Sequence, residues 1–336
     1  MSVTPPHTCA VFAGLVAGLL VTSAWVTGCS GDDGAAARST TTTPAASSTP
    51  PSTGTVRCPV LDPAQAVGRL GDPTLVEASG LAASRRNPGV LWSITDGESP
   101  TLFAMDEGGR ALARFRIDGA RPLDVEDIAV GPGTRPGTSD VFLADIGGNS
   151  GRNQLKVYRL PEPAVDAGAP VAAGAEPPTT TVDAVRIDLA YPEDASADAE
   201  AFVVDPRTGD WFVITKRLDG DSRVDRLAAA DATPGRVRTL ERVGTLGLPL
   251  LPDPLVTAAD ISPDGSMVAV RTYRKLYLYP RAERATVAEA LQGERCAYDG
   301  ADEPQGESIA FSADGRDLFS TSEGVGAVLF RTRRNG

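Results

Sequence analysis

The sequence predicts an all-β protein: a β-propeller of five four-stranded blades, closed by an N-terminal strand. Three observations predict it. A short unit recurs five times, each unit leads into a strand-like apolar run, and further apolar runs follow in the same order. The units are Glu77-Ala78-Ser79-Gly80-Leu81-Ala82, Asp124-Val125-Glu126-Asp127-Ile128-Ala129, Asp198-Ala199-Glu200-Ala201-Phe202-Val203, Thr257-Ala258-Ala259-Asp260-Ile261-Ser262 and Gln305-Gly306-Glu307-Ser308-Ile309-Ala310. Each is expected to form the inner strand of a blade.

Turns come next. Asn87-Pro88-Gly89, Asp205-Pro206-Arg207-Thr208-Gly209, Ser262-Pro263-Asp264-Gly265 and Ser312-Ala313-Asp314-Gly315 place Pro, Asp and Gly where a tight turn needs a preset or positive φ. Second strands are then expected at 90–94, 141–144, 211–214, 267–270 and 317–320, and third strands at 102–105, 155–158, 223–227, 276–279 and 328–330. The alternation of 182–189 reads as a fourth strand, and the Pro/Ala/Gly-rich stretch 161–180 explains the long second spacing. The chain runs out soon after Phe330, so residues 64–70 are expected to complete the last blade. A helix is expected at 286–292. A sixth blade within 221–256 is the alternative count.

Ahead of this body lies an apolar run from Ala10 to Val26, ending in Val26-Thr27-Gly28-Cys29. Small residues before a cysteine, after an apolar core of this length, resemble the bacterial lipobox. The resemblance implies that residues 1–28 are a signal peptide and that Cys29 carries a lipid. The mature chain would then face outward from the cell membrane. The alternative is an uncleaved anchor, for which the run is short. Residues 29–56 are rich in Ser, Thr, Ala and Pro; they bury too little to order themselves and read as a tether. The folded domain is 57–336.

Of four cysteines, Cys9 leaves with the signal and Cys29 takes the lipid, so Cys58 and Cys296 are expected to pair in an oxidising compartment. The one histidine, His7, also leaves, which excludes Ser-His-Asp and Cys-His catalysis and histidine-ligated metals in the mature chain. The net charge of −12 argues against nucleic acid as a partner. A monomer is expected.

Stacking the units exposes acidic columns. The first position reads Glu77, Asp124, Asp198, Thr257, Gln305, and the position two residues on reads Ser79, Glu126, Glu200, Ala259, Glu307. Residues two apart share a strand face, and inner strands line a propeller's channel, so both columns should meet at its mouth. The ends of the second strands add Asp96, Asp145, Lys216, Arg271 and Glu323. Crowded carboxylates must be protonated, paired or bound to a cation, and an all-oxygen ligand set suits Ca2+ or Mg2+. Asn149 offers an amide oxygen as well. Equally, polar strand starts serve simply to satisfy backbone donors, and duplicated units inherit their columns.

The units 305–310, 124–129 and 198–201, with Thr321-Ser322-Glu323-Gly324, resemble the bacterial propellers described as phytase-like, and the turns are similar to those of TolB-type propellers. The first resemblance implies Ca2+ held by Glu126, Glu200 and Glu307, with Lys216 and Arg271 contacting phosphate. Ser79 and Ala259 interrupt the acid column, and dense phosphate-binding Lys and Arg are missing. The expected function is therefore a membrane-anchored module that binds a ligand or a protein. The alternative is a Ca2+-dependent phosphohydrolase.

Overall fold

In the computed structural model the described residues are 57–95, 100–148, 152–166, 168, 171, 175–194 and 196–335. Residues 54–336 form one compact unit. Its strands fall into five sheets. Blade 1 holds strands 81–83, 90–94, 101–106 and 111–118; blade 2 holds 125–132, 139–145, 154–161 and 185–190. Blade 3 holds 199–204, 211–215, 223–227 and 241–245, and blade 4 holds 256–261, 267–272, 275–280 and 296–299. Blade 5 holds 306–311, 317–322 and 328–335, completed by the N-terminal residues 65–69 and 60–61. Its closing pairs include Gln65 with Arg331 and Leu61 with Arg334. Each inner strand packs beside the next, and that of blade 5 returns to blade 1, so the ring is closed.

The turn motifs act as their chemistry requires. Gly265 and Gly315 both take positive φ, near +70°, and their N–H groups donate to the carbonyls of Ser262 and Ser312. In each turn the serine hydroxyl donates to the aspartate two residues on, and then accepts the N–H of the returning strand. The helix is present at Val287–Gln292, capped by a reciprocal Thr286–Glu289 box.

Apolar burial lies in the seams between blades. Five buried clusters fill the five seams, one each. In the blade 2–3 seam Trp211 meets Phe142 edge-on at 5.4 Å and Phe202 at 5.9 Å. Carboxylates bridge inner strands: Asp127 of blade 2 accepts the N–H of Phe202 in blade 3, and Asp260 of blade 4 accepts that of Phe311 in blade 5. The Asp205–Arg281 pair, buried and bidentate, links blade 3 to blade 4.

One sequence expectation shifts, and the alternative count of six blades does not form. The 182–189 run is divided: 179–183 pairs in parallel with the outer strand of blade 1, and 185–190 becomes the outer strand of blade 2. The segment 221–256 contributes strands 223–227 and 241–245 to blade 3 and a short strand, 238–239, to the edge of blade 2; five blades are formed. Cys58 and Cys296 are bonded, with Cα atoms 5.5 Å apart across 238 residues. Tyr298 on the same outer strand donates to the carbonyl of Pro59 at 2.5 Å, so the closing segment is held twice.

Candidate cation site at the channel mouth

The acidic columns depend on a repeated irregularity. In blades 2, 3, 4 and 5 the register between inner and second strand slips by one residue at the same place. The residues left over are Glu126, Glu200, Thr257 and Glu307. A bulge re-aims the side chain it carries, and here it does so in four successive blades. It also corrects the sequence alignment, because Thr257 belongs beside the glutamates, not beside Asp124 and Asp198. The Thr257 hydroxyl donates to the carbonyl of Gly306 on the next blade.

Glu126, Asp198 and Glu200 converge, each offering a carboxylate oxygen within 4.8 Å of the others. The Gly147-Gly148 pair is wedged among them. A Cβ at Gly147 would fall on Glu126 Oε1 and on the Asp124 carboxylate, and one at Gly148 on Asp198 Cα. Only glycine lets the backbone pass there. The Gly148 N–H donates to Asp198 Oδ1 at 2.9 Å, the Gly147 N–H to the Asp124 carbonyl, and Arg152 Nε to the Gly147 carbonyl.

Lys216 stands beside the triad. Its Nζ lies 2.5 Å from Glu200 Oε1 and donates to Tyr273 Oη at 2.7 Å. Glu307 is near enough to Lys216 to feel its charge, and accepts from Gln305 Nε2, which also donates to Glu323. So Glu126 and Glu200 come together as expected, with Asp198 as third member, and Glu307 sits apart from the triad.

Other candidates are placed differently. Asp145 is fully buried and paired with Arg152 and Lys156, with Oδ1 accepting the N–H groups of Leu123 and Asp124; it braces the loop entering blade 2. Arg271 is 2% exposed. Its Nη2 meets Glu303 at 2.6 Å and its Nη1 donates to the Ser308 carbonyl, tying blade 4 to blade 5. Glu303, Tyr273 and the Gly147-Gly148 wedge were not picked out in the sequence, although the diglycine was a visible signal. Asp96, Asn149 and Cys29 lie outside the described residues.

The electrostatics are those of a crowded, half-dry site. Burial, and then the charges of Glu200, Asp124 and Asp198, push the Glu126 carboxyl up to about 10. Glu200 is pushed up to about 7 by burial, against the pull of Lys216 and its hydrogen bond. Glu307 is raised by burial too, against Gln305 and Lys216. Burial works to depress the Lys216 ammonium, but Glu200 and Tyr273 outweigh it and hold the group above its ordinary range. Glu126 therefore keeps a proton at neutral pH unless another cation takes its place. Three carboxylates, two of them on adjacent bulges, around a backbone wedge form a hard oxygen donor set that could hold a divalent metal ion.

No family model matches this sequence, and no curated protein does. Chains of similar shape include a gluconolactonase from Xanthomonas campestris, 14% identical over 73% of this chain and 68% of that one, with a TM-score of 0.39. A chain of the nidogen/laminin complex is 14% identical over 74% of this chain and 73% of its own length, with a TM-score of 0.40. Likeness at this level carries nothing about activity.

Proposed function

We propose that this protein is an outward-facing lipoprotein, tethered through Cys29, whose propeller binds a ligand or partner protein at a channel mouth organised by a Ca2+-type cation. The observation that carries the reading is the convergence of Glu126, Asp198 and Glu200 within 4.8 Å. A proton on Glu126 and the Lys216 ammonium relieve the crowding at rest, and a divalent cation can take the place of that proton. The resemblance to phytase-like propellers points to the same ion. Binding is favoured over phosphoester chemistry because both expected phosphate contacts are engaged elsewhere, Lys216 with Glu200 and Arg271 with Glu303.

Thermal melting in Ca2+ and in chelator tests this. At a hundredfold excess over Kd, a ligand of the folded state adds about 2.7 kcal/mol. That raises Tm by roughly 4–5 °C in a domain of this size. Glu126→Gln and Glu200→Gln should abolish most of the shift. Equal melting with and without Ca2+ would refute the cation site. Cys29→Ser should move the protein from the membrane to the soluble fraction, and unchanged retention would refute the lipid tether.

A further inference from the structure

Among the described residues, ten buried side-chain nitrogen or oxygen atoms have no hydrogen-bond partner, and five of them belong to one cluster. They are Arg152 Nη1, Tyr191 Oη, Arg223 Nε and Nη2, and Asp225 Oδ2. Buried polar groups are nearly always satisfied, so five in one place require a cause. Strand order brings these side chains together. Inner and third strands begin, and second and outer strands end, at the mouth of the channel. Arg152 lies just ahead of the third strand of blade 2, and Tyr191 just after its outer strand. Those strands are antiparallel, and the Tyr191 N–H donates to the carbonyl of Asn153, the residue after Arg152. Arg223 and Asp225 stand two apart on the third strand of blade 3, so they share a face. Leu227, next on that face, packs with Tyr191 in the blade 2–3 seam. The Arg223 guanidinium lies over the Tyr191 ring, 5.3 Å from its centroid. Burial raises the Tyr191 phenol, and the charges of Asp225, Arg223, Asp198 and Arg152 reach it as well. The cluster thus occupies the mouth end of the seam, where Arg152 Nε also holds the Gly147 carbonyl behind the acidic triad.

Charge and donor count select the ligand. Asp145 is shared by Arg152 and Lys156, and Asp225 Oδ1 accepts Arg242 Nε at 2.5 Å. Each side of the seam therefore carries one positive charge more than these carboxylates balance, and buried charge without a counterion is costly. Four of the five unpartnered atoms are donors. Arg223 presents Nε and Nη2, the guanidinium edge that meets two oxygens of one oxyanion. Chloride would accept from the donors and leave Asp225 Oδ2 unanswered, whereas a hydroxyl on an oxyanion donates to it. Tyr191 is 2% exposed, Asp225 0% and the Arg152 side chain 10%, so the enclosed group is small.

We propose that the mouth end of the blade 2–3 seam binds a small planar oxyanion that carries a hydroxyl, hydrogencarbonate being the member that matches in size and charge. Two of its oxygens face Arg223 Nε and Nη2. Arg152 Nη1 and the Tyr191 hydroxyl donate to it from blade 2, and its own hydroxyl donates to Asp225 Oδ2.

Titration calorimetry of the full chain in chelator, with hydrogencarbonate, nitrate, chloride and phosphate at equal ionic strength, tests this. Nitrate has the same plane and charge but no hydroxyl; phosphate has the hydroxyl but not the plane. Hydrogencarbonate should bind about tenfold or more tighter than any of the other three. Tyr191→Phe, which keeps the ring, and Arg223→Met should each weaken it by about tenfold or more. A Ca2+ titration of Tyr191→Phe should agree with that of the unaltered chain within about twofold, which shows an intact mouth and separates this site from the cation site. Equal affinity for hydrogencarbonate and nitrate, tighter binding of phosphate, or affinity unchanged in both variants would overturn the proposal. Binding of no anion would overturn it too, and would leave the five atoms to water.

Discussion

Glu126 is the residue on which the site turns. Its carboxyl titrates near 10 in the folded chain, against the ordinary carboxylate range when unfolded. The folded state therefore binds the extra proton, and stability is lost as pH rises between those values. Glu200, at about 7, adds to the same slope over the lower half of the window. In chelator, Tm should fall steadily from about pH 5 to pH 9. Glu126→Gln, which keeps the shape of the protonated acid, should flatten that fall; an unchanged slope would place the titrating group elsewhere. With saturating Ca2+ the fall should flatten, because the ion displaces the proton from the folded state while the unfolded carboxylates hold none above about pH 5. Lys216 competes too. Lys216→Met should tighten Ca2+ by about tenfold by releasing Glu200 and removing a like charge, as read by calorimetry.

At the scale of elements, the bulge in the inner strand does most to build the site, and it was not legible. Glu126, Glu200 and Glu307 stood out as a column because the repeats align, but nothing in the residues announces a one-residue slip, and Thr257 was misplaced for that reason. Turns were legible because Pro, Asp and Gly constrain φ locally. The division of 179–190 between two blades was not, because alternation is continuous while the pairing partner changes. The burial of Arg271 against Glu303 depends on a loop conformation no periodicity encodes. Glu162 is a similar case. Buried between blades 1 and 2, it accepts from Trp92 Nε1, from the N–H groups of Arg85 and Arg86, and from the hydroxyls of Ser84 and Ser139. Glu162→Ala strands several buried donors and should cost about 3 kcal/mol in urea unfolding; a loss under about 1 kcal/mol would mean water replaces the carboxylate easily.

For the whole molecule, closure is the vulnerable step, since the last blade takes its outer strands from the other end of the chain. The Cys58–Cys296 bond fastens that junction across 238 residues. Constraining so long a loop in the unfolded chain is worth about 5 kcal/mol. Reduction, or the Cys58→Ser, Cys296→Ser pair, should lower unfolding free energy by about that amount, without loss of the β-sheet circular dichroism signal at room temperature. No change would mean the strand pairing of 65–69 closes the ring unaided. The expected blade count, closing strand and disulfide all followed from the repeat and from where the cysteines fall. The exposure of Leu218 and Leu251 did not, because it is set by loops rather than by strand pattern.

Diffraction from crystals soaked in Tb3+, a Ca2+ substitute with strong anomalous scattering, decides whether the acidic triad holds a cation. An anomalous peak is expected at the channel mouth, about 2.3–2.6 Å from carboxylate oxygens of Glu126, Asp198 and Glu200, and lost in Glu126→Gln. An empty mouth, or carboxylates turned away from a common point, would contradict it.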